Sequence, residues 1–240
     1  MRIKLLSLFL LFPVIINFSF DKTNIQEKNP NPPDNPVALV KKVHKVVDYR
    51  KSAQQTDWEK AVIGLILNNG NEIKTGPKSL ALIYFTDGSG LLRVRENSIL
   101  HIYGDKKERK LNKNTFIQKG LIGFDVNKQA EDEEFKFTTP TVVASIRGTS
   151  GFIDYSEDST FTMSLDSGSA LLNFLGPQGG EGTLTEGNTV VITSDGNFEF
   201  HQQTDEDKNK SNETKKTNVK KLIIRTTQGN VEIEYYAPEE

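Results

Sequence analysis

The residues of this 240-residue chain best suited to move a proton or hold a metal near neutral pH are His44, His101 and His201. They are far apart in sequence, and none sits in an H-E-x-x-H or comparable ligand spacing, so each reads as a satisfied or exposed histidine. Cysteine is absent, which excludes disulfides, thiol catalysis, cysteine metal sites and an acylated cysteine. Asp87-Gly88-Ser89-Gly90 has a serine between glycines but not the G-x-S-x-G order of a nucleophile elbow, and it reads as a tight turn. The acidic run Glu131-Asp132-Glu133-Glu134 lacks the glycine-centred spacing of a calcium loop and reads as a solvated bend. "GPQGGEG", residues 176–182, has the glycines of a phosphate loop but neither its lysine nor a following helix. Asn212-Glu213-Thr214 matches a glycosylation sequon, which carries meaning only in a host that glycosylates. No catalytic, cofactor-binding or metal-binding residue is nominated, and the chain is expected not to be an enzyme.

One residue stands out by its setting. In "TTPTVVASIRGTSGFIDY", residues 138–155, Arg147 ends an apolar run just before Gly148. Alternation places it with Val143 and Ser145, opposite Val142, Ala144 and Ile146. A guanidinium has five donors and keeps its charge, so Arg147 can pin a turn by bonding carbonyls or a carboxylate such as Asp166. Alternatively it contacts an anion or a partner.

These residues must be positioned by strands. Alternation with period two is plain in "LLRVREN", "GLIGFDV" and "FTMSLDSGSALLNF". Turn pairs recur between the runs: Asn69-Gly70, Asp87-Gly88, Ser167-Gly168, Glu186-Gly187 and Asp195-Gly196. "KSLALIYF" is apolar on both faces, which predicts a strand covered on both sides. "EIKTGPKSLALIYF" and "KFTTPTVVASIRG" each place Thr and Pro ahead of a dense strand, a faint two-copy repeat. The class is therefore all-β, with short strands in a solenoid-like or sandwich arrangement. Val37, Val40, Val43 and Val47 match a helical spacing, but β-branched residues favour a strand from Val43, with a brief helical turn before it.

The organisation follows from composition. Residues 1–20 have a basic head and the apolar run "LLSLFLLFPVIINFSF", the layout of a secretory signal peptide. The run is shorter than the about 20 apolar residues of a spanning helix and contains Pro13. Retention of this segment as an anchor is the other reading. Residues 21–36 form a Pro/Asn-rich linker, 37–200 the main all-β domain, and 201–218 a polar linker with no apolar residue. Residues 219–240, with two alternating runs around Gln228-Gly229-Asn230, form a C-terminal hairpin. Thirty basic and thirty-two acidic residues give a net charge of -2 and no basic stripe, so nucleic acid is not an expected partner.

The stretch "WEKAVIGLILNNGNEIKTGPKSLALIYFTDGSGLLRVRENSIL", residues 58–100, resembles the first half of a FecR domain. "FKFTTPTVVASIRGTSGFIDY" resembles the T-P…V-x-R-G-T signature of that family, and "SLDSGSALL" with "LTEGNTVVI" resembles its closing strand-turn repeats. The resemblance covers about residues 43–192. One departure is Gly70-Asn71, where the family usually has Gly-Asp. Another concerns the regulators that name the family, which carry a cytoplasmic sigma-factor-binding region and a membrane span before this domain. Here a leader-like segment and a linker stand in their place.

The resemblance implies an extracytoplasmic all-β module of a bacterial periplasm or cell envelope, without cofactor and without a membrane span in the mature chain. It would bind or scaffold a protein or envelope polymer, or serve as a sensor or regulator module of sigma-factor-type signalling. A carbohydrate-active enzyme would instead need paired carboxylates about 5–10 Å apart across a groove. Export is checked directly: N-terminal sequencing of envelope-fraction protein should start close to Asp21, and an intact Met1 in the cytoplasm would refute it.

Overall fold

The computed structural model describes residues 36–107, 110–128, 133–176, 179–227 and 229–237. The leader, the first linker apart from Pro36, Glu131 and Asp132 of the acidic run, and residues 177–178 of the glycine-rich run lie outside the described residues.

Turn residues cut the chain into short strands. The first are β1 (Pro36–His44), β2 (Val47–Arg50), β3 (Glu59–Lys60), β4 (Ile66–Asn68), β5 (Asn71–Thr75) and β6 (Leu80–Phe85). β7 (Gly90–Val94), β8 (Ile99–Lys107), β9 (Lys110–Val126), β10 (Phe135–Thr138), β11 (Val142–Ile146) and β12 (Thr149–Tyr155) follow. The last part holds β13 (Phe161–Ser167), β14 (Ser169–Phe174), β15 (Glu181–Thr185), β16 (Asn188–Ile192), β17 (Phe198–Gln202), the helix α1 (Asp205–Lys215), β18 (Asn218–Thr226) and β19 (Gly229–Ala237). β1 is extended from Pro36, so the valine-rich start has no helical turn. The chain breaks instead at Lys45, whose φ is 56°.

Two sheets face each other. Sheet A runs β4-β1-β6-β7-β9-β12-β13-β16-β17. Sheet B runs β3-β2-β5-β8-β9-β10-β11-β14-β15. All pairings are antiparallel except β9 with β10. From β6 onward, the hairpins are shared between the sheets: β6–β7 in A, β8–β9 and β10–β11 in B, β12–β13 in A, β14–β15 in B and β16–β17 in A. The fold is thus a solenoid of hairpins whose two sides make a sandwich. The two Thr-Pro segments are not equivalent within it: the first carries the chain from β5 in sheet B to β6 in sheet A, the second turns β10 into β11 within sheet B.

β9 belongs to both sheets. Its first part pairs with β8 and β10, and residues from Gly120 on pair with β7 and β12. Gly120 makes the crossing with φ 110°, where a Cβ would stand 2.1 Å from the Ser98 Oγ. Only glycine fits such a backbone and such an approach. The core between the sheets is dense in aromatics, with Phe85 edge-on to Phe135 at 4.8 Å and Phe124 4.9 Å from Phe137. β6 shows the expected double burial: only Tyr84 reaches solvent, while Leu82 and Ile83 are buried.

A charge lies inside this core. The side chain of Lys113 on β9 is fully buried and ion-pairs with Asp87, with its ammonium 5.9 Å from the Phe135 ring centre. Burial alone would raise the Asp87 pKa, but the bonds from Lys113 and Ser89 hold it below the usual carboxylate value. Asp87-Gly88-Ser89-Gly90 is the β6–β7 turn: Ser89 N–H donates to the Asp87 Oδ1 at 3.0 Å and Gly88 takes φ 72°.

Residues 201–218, read as a polar linker, hold α1. Thr204 caps it and forms a reciprocal capping box with Asp207; acidic residues fill the first turn and Lys215 the last. With no apolar residue available, the segment docks through polar groups. It crosses the outer face of sheet A as a strap. Gln203 donates to Asp166 of β13, Lys210 pairs with Asp154 of β12 at 2.9 Å, and Thr214 packs over Gly123 of β9. Arg95, just after β7, then donates to the Lys216 carbonyl at 2.9 Å, and Lys42 of β1 donates to the Asn218 Oδ1 at 3.0 Å. Phe152, which points to this face, is consequently 0% exposed. β18 and β19 pair only with each other among the described residues, as the predicted C-terminal hairpin. No described helix is long and apolar enough to cross a membrane.

Asp166 fastens the strap by accepting from Ser211, Gln203 and Lys215, the last at 2.9 Å. Burial would raise its pKa; bonds from Lys215, Ser211 and Gln203 overcome this and hold it below 3.8. A lowered folded value means that its contribution is complete above the unfolded value and is lost as pH falls through the folded one. Asp166→Asn should therefore lower the melting temperature at pH 7 and flatten the acid loss below about pH 3.8. Limited proteolysis should cut residues 201–218 faster in the variant.

Candidate functional site

Sheet A turns a strapped face outward, whereas the outer face of sheet B is open to solvent. Its chemistry concentrates where β2, β5 and β8 lie side by side. Alternation sends Val47, Ile73, Leu100 and Ile102 into the core and turns Arg50, Glu72, Lys74, His101 and Tyr103 outward.

Glu72 is the centre of the cluster. Its side chain is 0% exposed although it stands on the outer face. Arg50 donates from Nε to Glu72 Oε2 at 2.8 Å, adds a second contact to the same oxygen at 2.7 Å, and spends another donor on the Gln55 carbonyl at 3.0 Å. The other carboxylate oxygen, Oε1, accepts no hydrogen bond; His101 Nδ1 stands 3.4 Å from it.

Above this pair lies Trp58, the only tryptophan in the chain. Its ring has the Arg50 guanidinium 4.5 Å from its centre and the Lys74 ammonium 4.4 Å from its centre. Both cations are desolvated on one side by an aromatic face, which holds the indole in place. Lys74 also faces Asp48 at 3.9 Å. His101 packs edge-on to Phe116 at 5.3 Å and lies beside Tyr103 at 6.3 Å. Next to Tyr103 an open groove of about 380 Å³ is lined by Asn69, Asn112, Asn114, Glu134 and Lys136. Three of its amide oxygens serve the fold: Asn69 accepts from the Gly104 N–H, Asn112 from the Glu134 N–H and Asn114 from the Thr138 hydroxyl.

Nothing in this arrangement is a nucleophile beside a base. The carboxylates and cations satisfy one another, and the exposed elements are a clamped indole, aromatic edges and an amide-lined groove. Aromatic side chains and arginine are among the residue types enriched at protein interfaces. Among the described residues, no group of three or more acidic or histidine side chains could hold a metal ion.

The three histidines lie on three different strands: His44 ends β1, His101 is on β8 and His201 on β17. His201 Nδ1 lies 2.9 Å from the Gln202 carbonyl. Arg147 stands exposed in the bend just after β11. Asp166, named as an example of its partner, is engaged by the strap. Sequence reasoning missed Arg50, Glu72 and Lys74. The available signal was charge on alternate positions of β2 and β5, flanking the single tryptophan.

Residues 71–171 match the family model described as FecR protein. That stretch runs from the start of β5 into β14 and includes Glu72, Lys74, His101 and Arg147. No curated protein matches the chain. Among solved structures, two crystal structures of a "putative anti-sigma factor" from Parabacteroides distasonis, at 2.50 Å and 1.65 Å resolution, align with 15% identity and a TM-score of 0.47. Each alignment covers 55% of this chain and 59% of the other, so the chain spans about three-fifths of those structures.

Removing the central carboxylate leaves Arg50 without its partner in a largely buried setting. Glu72→Ala should destabilise the protein by about 3 kcal/mol in urea unfolding, the lower end for a broken buried pair because Arg50 is partly exposed. Trp58 emission should shift toward that of free indole already in the folded variant.

Proposed function

We propose, from the match of residues 71–171 to the FecR family model, that this chain is an exported, non-catalytic binding module that acts in sigma-factor-type signalling at the cell envelope. In this reading it engages a protein partner through the outer face of sheet B. The observation that carries it is the difference between the two sheets. The strap occupies the outer face of sheet A, and the outer face of sheet B presents a clamped tryptophan, aromatic edges and mixed charge. Aromatic residues and arginine are the side chains that most often anchor protein interfaces.

In this reading Arg147, in the bend just after β11, is a contact residue. The pin reading makes the opposite forecast for the same variant, loss of stability with binding retained.

A second reading, scaffolding on an envelope polymer, is favoured by the groove beside Tyr103. Its amide-rich lining suits a polar chain better than an apolar peptide.

The test is co-purification from native envelope, followed by calorimetric titration of the captured partner. Capture of a membrane-bound signalling protein supports the first reading, and retention on purified envelope polymer supports the second. Trp58→Ala and Arg147→Lys should each keep the melting temperature within a few degrees and weaken partner binding about tenfold, the size of one interface anchor. Unchanged binding by both variants would remove the outer face of sheet B from the interaction.

A further inference from the structure

We propose that copies of this chain associate head to tail, with the β18–β19 hairpin of one copy capping the open end of the sandwich of the next. The inference is independent of the proposed signalling role and rests on two unfinished surfaces within one chain.

The first is the end of the solenoid. β17 is the last strand of sheet A and β15 the last of sheet B; among the described residues each has a partner on one side only. Phe198 and Phe200 pair with Ile192 and Val190 and so point inward with the core, yet they are 49% and 40% exposed. Phe198 stacks on Phe174 at 4.7 Å, and Gly182 keeps the space a side chain would fill, since a Cβ there would stand 2.9 Å from the Phe200 ring. Among the described residues, this is a core layer with no layer beyond it. Solenoids close such ends with a cap, and open strand edges recruit strands.

The second surface is the hairpin. Its register sets Leu222 opposite Ile233 and Ile224 opposite Val231, which puts these residues and Tyr235 on one face. They are 42–50% exposed. Lys221, Arg225 and Glu232 share the other face. An isolated two-stranded ribbon is marginal in water, so an apolar face of this kind calls for cover. Docking on a sandwich end adds the exposed aromatic layer and a strand edge to the buried surface.

Position and charge fix the occupant. The strap roots the hairpin beside Lys42 of β1, while β17 is at the opposite end of sheet A, seven strand spacings or roughly 34 Å away. Donor and acceptor therefore lie at opposite ends of one molecule, the arrangement that yields a heterologous contact between copies. Between Arg147 and Lys208 the sequence contains no lysine or arginine. The open end consequently carries Glu181, Glu186 and Glu199 without a basic residue nearby in the chain. On the apolar face of the hairpin β18 places Lys220, opposite Tyr235, which brings the complementary sign to the docked surface.

Sedimentation of the purified protein should show mass rising with concentration beyond one chain, and falling as salt is raised. Leu222→Glu/Ile224→Glu removes the donor, and Phe198→Glu/Phe200→Glu removes the acceptor. Each variant alone should stay a single chain, and an equimolar mixture should form a one-to-one pair through the donor left on one and the acceptor left on the other. Far-ultraviolet spectra report folding; if the aromatic variant is unfolded, the exposed Glu199→Lys should still weaken association about tenfold. A protein that stays a single chain at every concentration overturns the proposal. So does an acceptor variant that self-associates as well as the parent, because the hairpins would then be meeting each other.

Discussion

The crossing of β9 from one sheet to the other at Gly120 is the constraint on which the architecture depends. One continuous strand sets the register of four neighbours, β8 and β10 in sheet B and β7 and β12 in sheet A. A side chain at Gly120 would collide with Ser98 and require a backbone that L-residues avoid. With the crossing in place, the hairpins before β9 and those after it are stacked on a common core. The buried Lys113–Asp87 pair fixes the same strand by a second means, since it joins the first part of β9 to the β6–β7 turn across the sandwich.

The two outer faces solve opposite problems with similar residues. On sheet A, carboxylates of β12 and β13 are met by lysines and hydroxyls of α1, and the face is closed. On sheet B, Glu72 is met by Arg50 from within the sheet, and Trp58 lies over the cations while the rest of the face stays open. In both cases a charge is removed from water only where a partner arrives from a strand or helix at fixed register. The two faces therefore differ in what remains exposed: one is closed by the strap and the other stays open.

Much of the fold was legible in the sequence, because burial on alternate positions leaves a direct trace in residue type. The all-β class, the C-terminal hairpin and the double burial of Leu82 and Ile83 follow from period-two patterns. α1 was not legible as a helix because it buries Ser211 and Thr214 rather than apolar residues, so no helical hydrophobic stripe exists. Its trace was local: a Thr204-x-x-Asp207 box, an acidic first turn and a basic last turn. The site was only half legible for a related reason. Trp58 and His101 are visible as residue types, but the burial of Glu72 and Lys113 depends on partners separated from them by tens of residues or more than one turn of the solenoid, which periodicity does not encode.

The strap also has a mechanical meaning. It joins the sandwich to the hairpin through a series of polar contacts laid across the strands, from Asp166 and Asp154 through Thr214 and Arg95 to Lys42. A pull on the hairpin reaches these contacts one after another, starting at Lys42, and peels them in order. The hydrogen-bond ladders of the sheets are loaded only after the last has opened. The chain therefore contains a graded tether: about fifteen residues that can pay out length under tension and dock again when it is released, while the core and the outer face of sheet B keep their shape.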